Sequence, residues 1–567
     1  MSLRAKIHAL FTLRPTISCG LLLMIAALYL ALGLNMSLWR FIFTRLAFDH
    51  FGAFALATSF PVLVFAIVLL LLYLFAWPYL LKPVLLTLCL LSSVANFMMF
   101  NYGAFLDIDM IRNVFETNPH EAFDLMSFTG VIWVFFTGIV PAALLMRLNI
   151  KYRSPLREAG FRVVAILLCA GLTWGILGVF YKDYASFGRN YAEIKHLISP
   201  INYIYSTTRY LKRQRIAQRP FEILDAQVKP VAYNNTANSA ANAAPRLLIL
   251  VIGETARASA FALNGYARPT NPQLLQEDVI NFSNVASCGT ATAISLPCIF
   301  SAKPRTKFIK DDEYNVQNLL DILKLANYDV LWLENDAGCK GVCARVPTEK
   351  IATNSPSRFC DGNNCFDEVL LENLDERLAA LTQNTVIVLH AIGSHGPAYY
   401  ERYPEAFRQF TPDCRTTDLQ RCSQQEIINA YDNTILYTDF FLAEAIRTLK
   451  RFPKLNSSLL YVSDHGESLG ENNLYLHGVP YAIAPDNQKK VPLIFWLSDR
   501  MAKDERLDSG CLRKQAAENA YSHDNLFHSL LGLMRVDTKL YDATLDIFRS
   551  CRKPDSRITA SASPRTG

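Results

Sequence analysis

The chain has no long run of lysine or arginine and no internal repeat, and its formal charge is only +6 over 567 residues. Nucleic-acid binding needs a clustered basic face and has no footprint here. Repeated Cys-x-x-Cys pairs are also missing although there are 13 cysteines, which argues against a structural zinc–thiolate domain. In the first 287 residues cysteine occurs only at Cys19, Cys89 and Cys169, inside apolar runs where it reads as a small buried hydrophobe. Those runs hold few charges, so a solute path through a membrane finds little support.

What is present is unevenly spread. Apolar residues make up 51% of the chain, and mean hydropathy is positive. They come in long runs before residue 182, whereas from residue 246 the chain reads as an ordinary globular domain. At this length two or more domains are expected. Five segments approach the ~20 residues that cross a bilayer: 16–38, 52–76, 80–101, 128–147 and 161–181. The first is too long for a signal-peptide core, and further spans follow it.

Charge placement orients the spans. Arg4, Lys6 and Arg14 precede the first, and Arg147, Lys151, Arg153, Arg157 and Arg162 outweigh Glu158 in the fourth loop. The third loop is acidic, with Asp107, Asp109, Glu116, Glu121 and Asp124 against Arg112. The basic segments belong inside, so the acidic loop and everything after residue 182 belong outside. The organisation expected is a transmembrane domain over 1–181, an interfacial segment and linker over 182–245, and an exported domain over 246–567. Within the middle part, 182–220 is rich in tyrosine and ends in Lys212, Arg213, Arg215 and Arg219, so it reads as a solvated linker or as a segment lying on anionic headgroups. Asn234 to Pro245, NNTANSAANAAP, reads as a flexible tether.

Cysteine usage agrees with export. The remaining cysteines all lie between residues 288 and 551 and are even in number: Cys288, Cys298, Cys339, Cys343, Cys360, Cys365, Cys414, Cys422, Cys511 and Cys551. Disulfides in an oxidising compartment fit this distribution. Spacing does not fix connectivity, and pairing of near neighbours, leaving Cys511 with Cys551, is an assumption.

The exported part reads as α/β. LLILVIGE (247–254), VLWLE (330–334), TVIVLHA (385–391), LLYVSDHG (459–466) and PLIFWL (492–497) are nearly continuous apolar runs, as in strands covered on both faces. Helical patterns lie between them at Val316–Ala326, Val369–Leu381 and Ile427–Arg451. This alternation predicts a mainly parallel sheet with its ligand site at the carboxyl ends of the strands. Polar residues occur at those ends: Glu254 after the first run, His395 beyond the third, Asp464 and His465 after the fourth, and His477 further on. Carboxylates and imidazoles together suit zinc. Between Cys288 and Cys298, SCGTATAISLPC places the hydroxyls Thr290, Thr292 and Ser295, and an alcohol becomes a useful nucleophile once a base or metal takes its proton.

GETAR (253–257), NGYARPTNP (264–272), SCGTATAISLPC (287–298), GSHGPAYY (393–400) and SDHGESLGE (463–471) resemble the phosphoethanolamine transferases of Gram-negative envelopes, a group that includes lipid A modifiers and plasmid-borne colistin-resistance enzymes. The resemblance spans essentially the whole chain. It implies five inner-membrane helices, a cytoplasmic N-terminus and a periplasmic catalytic domain of the alkaline phosphatase/sulfatase fold. The family's zinc ligands fall on Glu254, Thr292, Asp464 and His465, with Thr292 also the nucleophile. Its substrate or second-zinc histidines fall on His395 and His477, and its phosphoethanolamine-contacting lysine and amide on Lys340 and on Asn335 or Asp336. Implied partners are phosphatidylethanolamine as donor and lipopolysaccharide, through lipid A, as acceptor, with the protein acting as a monomer in the bilayer. Kdo and core heptose are the alternative acceptors. A glycerol-phosphate polymerase of the lipoteichoic acid type and a sulfatase-type hydrolase are the rival enzymes, and a membrane transporter carrying an outer binding module is the rival outside enzymology.

Overall fold

The computed structural model describes residues 14–46, 51–103, 105–116, 128–217, 219–230, 244–308, 315–336, 338–416, 419–471 and 474–553. Arg4, Lys6, Glu121, Asp124 and the tether up to residue 243 lie outside the described residues. The chain divides into two compact units, Met1–Arg215 and Ile216–Gly567.

Among the described residues of the first unit, four helices are long and apolar enough to cross a membrane: Phe54–Leu74, Leu81–Asn101, Phe128–Arg147 and Pro155–Val179. A helix pair, Cys19–Gly33 and Met36–Arg45, is apolar enough to make a fifth span if the two count as one, and it is bent by 53°. The sequence predicts one segment over 16–38, and Asn35 accounts for the difference. Wholly buried, its amide donates to the Leu30 carbonyl at 2.8 Å and the Ser199 carbonyl at 2.9 Å, and its Oδ1 accepts the Ser199 N–H at 2.8 Å. A side chain that competes for backbone groups in this way bends a helix. The last span starts at Pro155 rather than near 161, because proline fits the first helical position and Glu158 favours the positive end of the dipole. Beyond it, Tyr181–Asn190 and Ile201–Ala217 are also helices, the second ending at the boundary between the units. Tyr184 Oη lies 2.8 Å from Ser59 Oγ and Tyr203 Oη 3.1 Å from Ser92 Oγ, so these tyrosines pack rather than line a solvated linker.

The second unit is built on an eight-stranded sheet. In chain order its strands are β1 (Arg246–Gly253), β2 (Ile280–Ala286), β3 (Asp329–Glu334), β4 (Thr348–Lys350), β5 (Thr385–His390), β6 (Asn456–Ser463), β7 (Lys490–Leu497) and β8 (Tyr521–Ser522). Across the sheet they run β8-β2-β7-β6-β1-β5-β3-β4. Only β7 is antiparallel to its neighbours. All eight residues of β1 are buried. Leu248, Leu250 and Ile252 join one hydrophobic cluster, while Leu247, Ile249 and Val251 join the other on the opposite face. That division is why a central strand reads as an unbroken apolar run.

The 427–451 pattern becomes a helix over Gln424–Lys450, started by a capping box. Ser423 Oγ accepts the Glu426 N–H, and Glu426 Oε2 accepts the Ser423 N–H at 2.7 Å. The 369–381 pattern is split into a short 3₁₀ turn, Asp367–Leu371, and a helix, Leu374–Ala379, because Asn373 stands left-handed between them at φ 61°.

Candidate active site

Strand register assembles the site. Gly253 of β1 is paired with Ser463 of β6, so the next residues, Glu254 and Asp464, emerge side by side. Ile252 is paired with His390 of β5, and His390 with Glu334 of β3. Four parallel strands thus deliver polar side chains to one edge. Thr255 takes φ 63°, a costly conformation for a β-branched residue. Its hydroxyl donates to Glu254 Oε1 at 2.7 Å, and its amide donates to Asp464 Oδ1 at 3.1 Å. The long helix braces this turn through Tyr431, whose hydroxyl accepts the Arg257 N–H and donates to the Thr255 carbonyl. Gly393, at φ 51°, passes so close to the Glu254 backbone that a Cβ there would stand 2.7 Å from its carbonyl oxygen.

Glu254, Asp464 and His465 are completely buried, and one ligand atom from each lies within 4.8 Å of the others. Asp464 Oδ1 is satisfied by two backbone N–H groups, of Thr255 and His465, while Oδ2 has no hydrogen-bond partner among the described residues. His465 Nδ1 is 2.9 Å from the Gly466 carbonyl, which assigns the proton to that nitrogen and leaves Nε2 facing the carboxylates, 3.3 Å from Glu254 Oε1 and from Asp464 Oδ2. Burial raises Asp464, and the Glu254 charge raises it further. Burial would raise Glu254 too, but the bonded His465 outweighs it and holds that carboxyl well below the usual range. Two carboxylates and an imidazole that are dry and crowded form a cost that a dication removes. An orphaned carboxylate oxygen, an imidazole nitrogen turned toward two carboxylates and a hard–borderline donor set fit zinc.

Thr292 completes the group. It is the first residue of a short helix, Thr292–Ile299, and its Oγ1 donates to Glu254 Oε1 and Oε2 at 3.0 and 3.1 Å, with His465 Nε2 at 3.4 Å. The neighbouring hydroxyls are otherwise engaged: Thr290 donates to the Val479 carbonyl at 2.6 Å, and Ser295 to the Asp464 carbonyl. Disulfides join Cys288–Cys298, Cys339–Cys343, Cys360–Cys365, Cys414–Cys422 and Cys511–Cys551, the first closing the Thr292 loop.

Residues 64–215 match the family described as Phosphoethanolamine transferase EptA/EptB, and residues 246–536 match Sulfatase. The phosphoethanolamine transferase EptA of Escherichia coli K12 is 41% identical over 545 residues, covering 95% of this chain and 98% of that protein. The chain belongs to the phosphoethanolamine transferase family. The phosphatidylethanolamine transferase Mcr-1 of Escherichia coli is 36% identical over 493 residues, 83% of this chain and 85% of that protein. Among solved structures, the integral membrane lipooligosaccharide phosphoethanolamine transferase A of Neisseria meningitidis superposes with a TM-score of 0.64 at 38% identity, covering 95% of this chain and all of that one.

In this transferase His477 stacks near the buried group, its ring 4.2 Å from that of His465, and His395 lies 6.0 Å beyond. His477 Nδ1 is 3.4 Å from Glu467 Oε1, and Glu467 Oε2 accepts the Tyr399 hydroxyl. The loop carrying His395 is tied down by Asp367, which accepts the Ile392 and Gly393 N–H groups. Asn335 gives its amide hydrogens to Asp367 Oδ1 and the Cys365 carbonyl, whereas Asp336 lies within 4.8 Å of Glu254 and His390. Lys340 sits inside the Cys339–Cys343 loop at φ 49°.

Two buried histidines are absent from the sequence-based site. His390 closes β5, and the only signal for it is a histidine ending an apolar run. His523 follows β8 and joins the backbones of the Thr292 loop and β6. No spacing links it to any motif.

Proposed function

We propose that this chain transfers phosphoethanolamine from phosphatidylethanolamine to lipid A in the inner membrane of a Gram-negative envelope, with its N-terminus cytoplasmic, its catalytic unit periplasmic and the protein acting as a monomer. The observation that carries the reading is the Thr292 hydroxyl, held at hydrogen-bond distance from both oxygens of a buried Glu254 and next to His465 Nε2. Glu254, Asp464, His465 and the Thr292 oxygen would hold zinc, which lowers the pKa of a bound hydroxyl and offsets phosphoryl charge.

Thr292 acts as the nucleophile. Its proton has Glu254 as the acceptor in place, and its oxygen forms a bond to phosphorus as the bond from phosphorus to the diacylglycerol oxygen breaks. The departing oxygen takes up a proton, for which His395 and His477 are the available imidazoles. Phosphoethanolamine then remains as an ester on Thr292. A lipid A phosphate oxygen attacks that phosphorus in a second displacement, and the Thr292 oxygen leaves with a proton returned. Lys340, His395 and His477 supply positive or hydrogen-bonding groups for the phosphoryl oxygens. Both substrates are membrane lipids, which is the reason for a membrane-anchored catalyst.

Mass spectrometry of lipid A from cells expressing the full chain, or its Thr292→Ala variant, tests this. One added phosphoethanolamine is expected with the wild type only, together with a phosphoethanolamine adduct on Thr292 in the trapped protein. Addition to Kdo or heptose would move the acceptor and leave the chemistry standing.

A further inference from the structure

His390 is wholly buried at the carboxyl end of β5, and the transfer chemistry above makes no use of it. Its Nδ1 lies 2.9 and 3.0 Å from the two oxygens of Glu334. Glu334 is itself held fast: Trp332 Nε1 donates to Oε2 at 2.8 Å, and the Asp336 and Gly338 amides donate to Oε1 at 2.9 and 3.3 Å. The imidazole is therefore oriented, with Nδ1–H toward Glu334 and Nε2 turned the other way. On that side Nε2 finds no hydrogen bond among the described residues; the Asp336 carboxylate is 3.9 Å away. One ligand atom each of Glu254, Asp336 and His390 lies within 4.8 Å of the others.

An imidazole backed by a carboxylate, with its other nitrogen facing carboxylates, is the arrangement by which proteins present histidine to divalent metals. An unpaired nitrogen in a dry interior is costly, and coordination removes that cost. We propose that Glu254, Asp336 and His390 form a second divalent-cation site, sharing Glu254 with the Asp464–His465 group. One imidazole and two carboxylates suit zinc, and three protein donors leave a position open for water or a phosphoryl oxygen. His395 and His477 are not part of this group. The inference rests on Glu254 being a metal ligand in the proposed transfer centre, and the two are separable because Asp464 and Thr292 belong to that centre alone.

The test is zinc content of the full-length chain in detergent, stripped with chelator, reloaded with zinc and freed of excess. His390→Ala and Asp336→Asn are each expected to hold one ion fewer than the wild type, Asp464→Ala to lose a different ion, and His390→Ala/Asp464→Ala to lose two. Glu334→Gln leaves the ligands in place and should weaken this ion by about 10- to 100-fold in chelator competition, so the proposal stays testable if His390→Ala fails to fold. Unchanged zinc content and affinity in His390→Ala and Glu334→Gln would overturn it and make His390 a buried partner of Glu334. Loss of the second ion in His395→Ala/His477→Ala but not in His390→Ala would overturn it as well. Zinc retained by Asp464→Ala but lost by His390→Ala would instead refute the transfer centre while leaving this site.

Discussion

His523 Nδ1 accepts the backbone N–H of Cys288 at 3.0 Å, while its Nε2 donates to the Ser463 carbonyl at 3.0 Å. One buried ring thereby links the start of the Thr292 loop to the end of the strand that presents Asp464 and His465. Ser295 Oγ lies 3.3 Å from the same Nδ1. The ring can play this part only when neutral, since a proton on Nδ1 would face the Cys288 N–H.

Burial pushes His523 from an ordinary 6.5 down to about 3. Between those values the unfolded chain binds more protons than the folded one, so stability rises with pH and is lost on acidification below about 6.5. The loss from this group should reach at most ~1.4 kcal/mol per pH unit. Thermal unfolding of the full chain at a series of pH values should show a shallower acid slope for His523→Gln than for the wild type. Identical slopes would mean that His523 does not carry the linkage.

Thr292→Ala should lower transfer by about 10³-fold or more while the protein stays folded and keeps its zinc. Thr292→Ser should restore a measurable part, because it returns an oxygen at the same place. Thr290 and Ser295 already donate to backbone carbonyls, so alanine there should cost stability rather than chemistry. Turnover of a short-chain phosphatidylethanolamine by the three alanine variants ranks them, and a normal rate at Thr292→Ala would remove it as nucleophile.

The five disulfides predict no free thiol among the ten cysteines from Cys288 onward. Thiol counting on the denatured, unreduced chain should find only Cys19, Cys89 and Cys169. Replacing Cys288 and Cys298 together by serine should destabilise the catalytic unit by about 2–4 kcal/mol and lower turnover, since the loop that positions Thr292 is then unpinned. A normal rate in that variant would mean that Ser295 and His523 alone hold the loop.

Much of this was readable because it depends on local pattern. The apolar runs at 247–254, 330–334, 385–391, 459–466 and 492–497 are strands, since burial on both faces removes any need for polar alternation. The antiparallel course of β7 was not visible in its residues, because side-chain pattern does not carry direction. β2, INFSNVA, was missed because it mixes polar and apolar positions, and β8 because it is two residues long. The Glu254–Asp464 meeting could be anticipated from two strand ends in one parallel sheet. The Glu334–His390–Asp336 contact could not, because it depends on which strands are neighbours, and neither spacing nor composition gives strand order. The bend at Asn35 likewise needs Ser199, far away in sequence.

The final prediction concerns the cell surface. Lipid A phosphates are anionic, and polymyxins are drawn to them by charge. Phosphoethanolamine on a phosphate adds an ammonium group and lowers the net negative charge that a cationic peptide meets. Expression of the full chain in a susceptible Gram-negative host should therefore raise the inhibitory concentration of polymyxin several-fold. The increase should vanish with Thr292→Ala, Glu254→Ala, Asp464→Ala or His465→Ala, and with a chain cut to 246–567, which has lost the spans that keep it beside its lipids. Lipid A mass, measured on the same cultures, must move with resistance across the whole set. Resistance that persists in Thr292→Ala without added phosphoethanolamine would show that the effect comes from something other than transfer. Added phosphoethanolamine without resistance would place the modification away from the phosphates that polymyxin contacts.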